Sequence, residues 1–225
     1  MDLDNVAEII DSILPGESVL LKYHTSYIPE FILRFFIDYS KERGVSLLVD
    51  DNFDSLNTIA IHAKTLGLPL DLDGVYVVKT GGKYEVGNVV TRVPFHPDPR
   101  VYLENYEEAS RKAFNDLQPP MLNLVLGIEN LFLLVQRPSD VYRLLLAIQR
   151  FVGRKERKAF YLINEDVVRG LPFNVMPELE RIATTVMEVF PYPSGATVRV
   201  LKSINPEMIG RELRITVGRW SRWRQ

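Results

Sequence analysis

The chain has 225 residues, enough for one sizeable core or at most two small domains. Apolar residues make up 46% and charged residues 25%, the mix of a folded globular protein and not of a disordered one. With 27 Lys and Arg against 29 Asp and Glu, the net charge of −2 excludes a whole-protein basic field for nucleic acid, and the absence of cysteine excludes disulfides, Cys-ligated zinc, iron–sulfur clusters and a thiol nucleophile.

The N-terminal stretch MDLDNVAEII is acidic and lacks the positive n-region of a signal peptide, so a cytoplasmic protein is expected. Leu3 to Ile13 reads as a short amphipathic helix with Val6, Ile9, Ile10 and Ile13 on one face, ended by Pro15-Gly16. SVLLKY, from Ser18 to Tyr23, is an apolar run that suits a buried strand. Pro29 sits well in the first turn of a helix through FILRFFIDYSKER, and Gly44 caps its end. VSLLVD, from Val45 to Asp50, is the next strand, and Phe53 to Leu66 the next helix. Strands that are continuous apolar runs, alternating with helices, mark a parallel sheet covered on both faces.

VYVVKT (Val75 to Thr80) and KYEVGNVV (Lys83 to Val90) flank Gly81-Gly82, which predicts a tight hairpin. Val101 to Leu117 is a charged helix, broken by Pro119-Pro120. Met121 to Val135 is the most apolar stretch but is too short to cross a bilayer, and it is expected to begin as a strand and turn near Gly127. Pro138 and Ser139 open a helix that ends at Gly153, Lys158 to Asn164 is a strand, and a short helix follows around Pro177 to Ile182. TTVMEVF, ATVRVLKSI and RELRITV are three antiparallel strands, and the tail GRWSRWRQ is basic and aromatic.

GESVLL followed by a loop, a helix ending in Arg43-Gly44 and VSLLVDD resembles the opening of RecA-like ATPases of the KaiC type. KAFYLIN, LERIATTVMEVF, TVRVLKSINP and RELRITV resemble that group's last strands. The chain is also similar to a small family of unknown function from hyperthermophilic archaea. The resemblance implies one α/β domain over residues 1–225, with a mainly parallel RecA-like central sheet, helices on both faces and antiparallel C-terminal strands.

The catalytic motifs of that group are altered. A Walker A loop holds phosphate with backbone N–H groups, a Lys and a hydroxyl. The equivalent loop here is KYHTSYIPEF, with no glycine from Lys22 to Phe31. Tyr23, His24 and Ser26 carry side chains where that loop needs space, Pro29 replaces the Lys and Glu30 the Thr. Lys22 lies at the strand end and does not substitute. In LVLGIEN, Gly127 stands where a magnesium-holding Asp belongs, with Glu129 two residues on. Loss of both motifs argues against ATP hydrolysis, and neither a cofactor nor a resident metal is expected.

Ligands of doubly wound sheets sit at the carboxyl ends of the strands. Those ends carry Tyr23 and His24, Asp50 and Asp51, Glu129, and Asn164, Glu165 and Asp166. One His with several carboxylates suits a divalent metal or a general base. The plainer account has Asp50, Asp51 and Asp166 capping helices and His24 on a surface loop. His62 reads as a helix-face residue, and His96, between prolines, as exposed.

Three function classes follow. The first is a non-hydrolysing RecA-like module that binds protein, most simply as a homodimer. The second is a metal-dependent enzyme at the strand ends. The third is a nucleic-acid accessory protein using the tail residues Arg219, Trp220, Arg222 and Trp223. That tail is short and the remaining chain is not basic, which ranks protein contact above nucleic acid.

Overall fold

The computed structural model describes residues 4–27, 29–135, 137–192 and 195–216. Helix α1 (Asp4–Ser12) leads into strand β1 (Ser18–Tyr23), α2 (Glu30–Arg43), β2 (Leu47–Asn52) and α3 (Ser55–Thr65). Then follow β3 (Val75–Thr80), β4 (Asn88–Val93), α4 (Pro99–Asp116), β5 (Met121–Leu126), α5 (Ile128–Leu134) and α6 (Pro138–Arg150). The chain continues through β6 (Arg157–Asn164), α7 (Glu165–Arg169), α8 (Met176–Ile182), β7 (Thr185–Tyr192), β8 (Gly195–Lys202) and β9 (Glu212–Thr216).

Among the described residues, nine strands form one sheet in the order β4-β3-β2-β5-β6-β1-β7-β8-β9. Every pair from β4 to β7 is parallel, and β7-β8 and β8-β9 are antiparallel. The apolar runs of β1, β2, β5 and β6 are central because they are buried on both faces. Side chains alternate between two cores. Val19, Leu21, Val49, Phe160 and Leu162 pack beneath α1, α2 and α3. Leu20, Leu48, Val125 and Tyr161 pack beneath α4 to α8. This period of two decides which end-of-strand residues can meet. Among the described residues, no helix is long and apolar enough to cross a membrane.

The expected α/β sheet with antiparallel C-terminal strands is present, but the hairpin at Gly81-Gly82 is not. β3 and β4 run parallel, with Tyr76 opposite Asn88. The cause lies 29 residues upstream. The Asp54 carboxylate accepts the backbone N–H groups of Lys83 and Tyr84 at 2.8 and 3.0 Å. Gly81 and Gly82 have φ of 59° and 74° and let the Phe53 ring and the Asp54 carboxylate approach where a Cβ would stand. The chain is turned back there, and residues 83–87 return it to the start of β3 instead of pairing with it. Helix α7, directly after β6, is a second feature the sequence reading did not include. Asn164 opens it by accepting the N–H groups of Asp166 and Val167.

Candidate functional site

The carboxyl ends of β1, β5 and β6 open into a cleft of about 410 Å³ roofed by α2 and α3. This is the place where a doubly wound sheet presents ligands. Its lining includes Tyr23, Pro29, Glu30, His62, Glu129 and Asn164. Tyr23 follows Lys22 in β1, so the two side chains take opposite faces. Tyr23 turns to the cleft, while the buried Lys22 bonds Glu180 at 2.6 Å on the other side of the sheet. Tyr23 also packs edge-on against Tyr27, ring centroids 6.0 Å apart. Burial pushes both phenols above their usual range, and the nearby Glu129 and Glu30 charges add to it. Ser26 is exposed and does not line the cleft.

Two carboxylates dominate the cleft. Glu30 opens α2 after Pro29, which has helical backbone angles and makes no side-chain cap. Its residue is 1% exposed, Oε1 lies 3.0 Å from His62 Nδ1, and Oε2 has no hydrogen-bond partner among the described residues. Burial raises its pKa, opposed by its own backbone N–H and by His62. His62 therefore does more than sit on a helix face: α3 packs on α2 so that its imidazole covers the Glu30 carboxylate. Glu129, in the first turn of α5, is also buried, its Oε2 has no hydrogen-bond partner among the described residues, and burial lifts its pKa to about 7. The backbone N–H groups of Glu129 and Asn164 offset part of that shift.

Gly127, just after β5, has no room for a side chain. It adopts φ of 70°, and a Cβ there would meet the Ser55 hydroxyl and stand 2.6 Å from the Asn52 carbonyl oxygen. No aspartate fits at this position without moving β2.

Asp50 and Asp51 do not lie at an open strand end. β2 continues to Asn52 and buries both. Asp50 faces the α4–α8 core, where Asn123 Nδ2 and the Tyr106 hydroxyl each donate to its Oδ2 at 3.0 Å. Arg157, 1% exposed, bonds Asn123 Oδ1 and donates to the Tyr161 hydroxyl at 3.0 Å. Burial still raises the Asp50 pKa, against these partners. Asp51 faces the other way. It accepts the Leu56 N–H at the start of α3 and pairs with Lys79 at 2.6 Å. Both carboxylates are buried and held by protein partners, and neither lines the cleft roofed by α2 and α3.

His24, Glu165 and Asp166 do come together, on the α4–α8 face beyond β1 and β6. His24 Nδ1 lies 3.0 Å from Asp166 Oδ1, and Asp166 Oδ2 accepts the Thr25 N–H at 2.8 Å. These bonds hold the Asp166 carboxyl down at about 2, Thr25 contributing most. Glu188 of β7, which the sequence reading did not single out, places Oε1 3.8 Å from His24 Nε2. It is a lone carboxylate in an apolar strand, and only the pairing of β7 with β1, which sets it opposite Lys22, brings it to His24. Arg219, Trp220, Arg222 and Trp223 lie outside the described residues.

Comparison with known proteins agrees with this architecture. A Pyrococcus horikoshii OT3 protein from a structural study superposes with a TM-score of 0.75 at 25% identity, covering 92% of this chain and 97% of that one. A KaiC-like protein from the same hyperthermophilic archaeon superposes with a TM-score of 0.58 at 11% identity, covering 89% and 85%, which establishes a shared fold. No curated protein matches the sequence. Residues 8–214 match the family described as Pyrococcus protein of unknown function, DUF257, and the chain belongs to that family.

Proposed function

We propose that this protein is a KaiC-like module that does not hydrolyse nucleotide and acts through protein association, first of all with itself. The observation that carries the first half is the buried Glu30 carboxylate at the start of α2. Phosphate held at a helix N-terminus uses free N–H groups and the positive end of the dipole. Here Pro29 offers no N–H, and Glu30 takes its own N–H with a negative charge. Glu129 brings a second carboxylate to the same cleft. When ionised, each repels a nearby phosphate by roughly 1 kcal/mol or more, and Glu129 reaches that state as pH rises through about 7.

Association is supported by apolar surface at the same end of the sheet, on the α4–α8 side. Phe95 and Leu134 are 39% and 52% exposed and line one shallow depression with His96, Pro97, Pro99 and Val135. Leu133 beside them is equally open. Exposed apolar side chains that cluster mark contact surfaces, whereas single ones do not. A two-fold pair is the simplest closed assembly.

The test is light scattering of the full chain at high micromolar concentration, with Leu134→Arg for comparison. The proposal expects twice the chain mass, and a dimer weakened at least tenfold by the arginine. A mass of one chain for the unaltered protein would remove the association half of the proposal.

A further inference from the structure

We propose that His24, Glu165 and Glu188 form a binding site for one divalent transition-metal ion, on the sheet face opposite the cleft. One donor atom from each lies within 4.8 Å of the other two. His24 Nε2 is 3.7 Å from Glu165 Oε2 and 3.8 Å from Glu188 Oε1. Both separations are too long for hydrogen bonds. They are close to the spacing of ligands that share an ion about 2.1 Å away, which is roughly 3.0–3.5 Å.

A second observation is independent of the clustering. Glu165 is 5% exposed, and its Oε2, the atom facing His24, has no hydrogen-bond partner among the described residues. Its other oxygen is fixed by Arg169 at 2.8 Å, with Lys22 at 4.0 Å. A buried carboxylate oxygen left without a partner is costly. A cation between the three side chains removes that cost.

The surroundings are arranged as those of a metal-binding histidine. Asp166 engages Nδ1 and is itself held by the Thr25 N–H, so the ring presents Nε2 to the two glutamates. Glu165, Asp166, Glu180 and Glu188 supply four negative charges against Lys22 and Arg169, an excess of two that a dication neutralises. One imidazole with two carboxylates favours Zn²⁺, Mn²⁺ or Fe²⁺ over Mg²⁺ and Ca²⁺, which prefer oxygen donors alone.

The test is calorimetry on the full chain, stripped with chelator and dialysed, titrated separately with zinc, manganese and magnesium chloride. The expected result is one equivalent of zinc or manganese, bound at least tenfold more tightly than magnesium. Glu188→Gln and His24→Gln should each weaken it at least tenfold, and Asp166→Asn about 10- to 100-fold. Glu129→Gln, in the cleft, should leave it unchanged. A second readout covers variants that bind nothing because they fold poorly. The melting temperature of the unaltered protein should rise with metal, while that of a folded Glu188→Gln should not. Absence of binding, binding of several equivalents, or an affinity indifferent to Glu188→Gln and His24→Gln would overturn the assignment.

Discussion

The His62 imidazole reaches the buried Glu30 carboxylate across the α2–α3 contact, Nδ1 to Oε1 at 3.0 Å. The two residues are 32 apart in sequence, and their pairing fixes what the head of α2 can hold. In a phosphate-binding fold that position meets an anion from solution. Here the anion belongs to the protein, and its partner comes from the neighbouring helix.

The pH dependence of stability should carry the mark of these carboxylates. Glu129 has a folded pKa of about 7 against an ordinary value of 4.5. A raised carboxyl binds its proton more tightly in the folded state, so its contribution is fully present below the unfolded value. It is lost as pH rises through the folded value. Denaturant unfolding should therefore show stability falling between about pH 4.5 and pH 7, by on the order of 3 kcal/mol at most from this group. Glu129→Gln should flatten that slope and be the more stable protein at pH 8. Glu30→Gln, which keeps an acceptor for His62, should act in the same direction. A slope unchanged in Glu129→Gln would show that the carboxyl is not shifted.

Gly127 is expected to tolerate no side chain. Gly127→Ala should cost about 2–4 kcal/mol, since it combines a left-handed backbone with a clash. Adding Ser55→Ala removes the hydroxyl but leaves the Asn52 carbonyl oxygen 2.6 Å from the new Cβ, so rescue should be partial. Urea melts of the single and double variants decide this. Full rescue would mean that the hydroxyl alone sets the requirement.

The buried Arg157–Asn123–Asp50 network should behave as a unit. Arg157→Met leaves Asp50 buried without its cation and should cost about 3–5 kcal/mol. Asp50→Asn strands the guanidinium in the same way. Losing both charges together should cost clearly less than the sum of the two single losses. Additive costs in a double-mutant cycle would refute the coupling.

The parts of this fold that were legible in the sequence are those with local causes. β1, β2, β5 and β6 announce themselves as continuous apolar runs, and Gly44 and Pro138 mark helix ends through their own backbone preferences. The parts that were not legible have distant causes. Residues 83–87 look like half of a hairpin until Asp54 is seen to take their N–H groups. Asp50 and Asp51 look like strand-end ligands because Arg157 and Lys79, which make their burial possible, lie 107 and 28 residues away in the chain. His24 with Glu165 and Asp166 was within reach, since all three follow parallel neighbours β1 and β6. Glu188 was not, because its place depends on β7 lying against β1.

The function proposed above requires that the protein's own side chains fill the cleft at the head of α2 and leave no place for nucleotide. The most direct measurement is calorimetric titration of the full chain with magnesium ATP, joined to a phosphate-release assay at elevated temperature on the same preparation. The account predicts no saturable heat up to millimolar ATP and no phosphate release above that of buffer. Micromolar, magnesium-dependent binding that is altered by Glu30→Gln, or turnover that survives repurification, would contradict it.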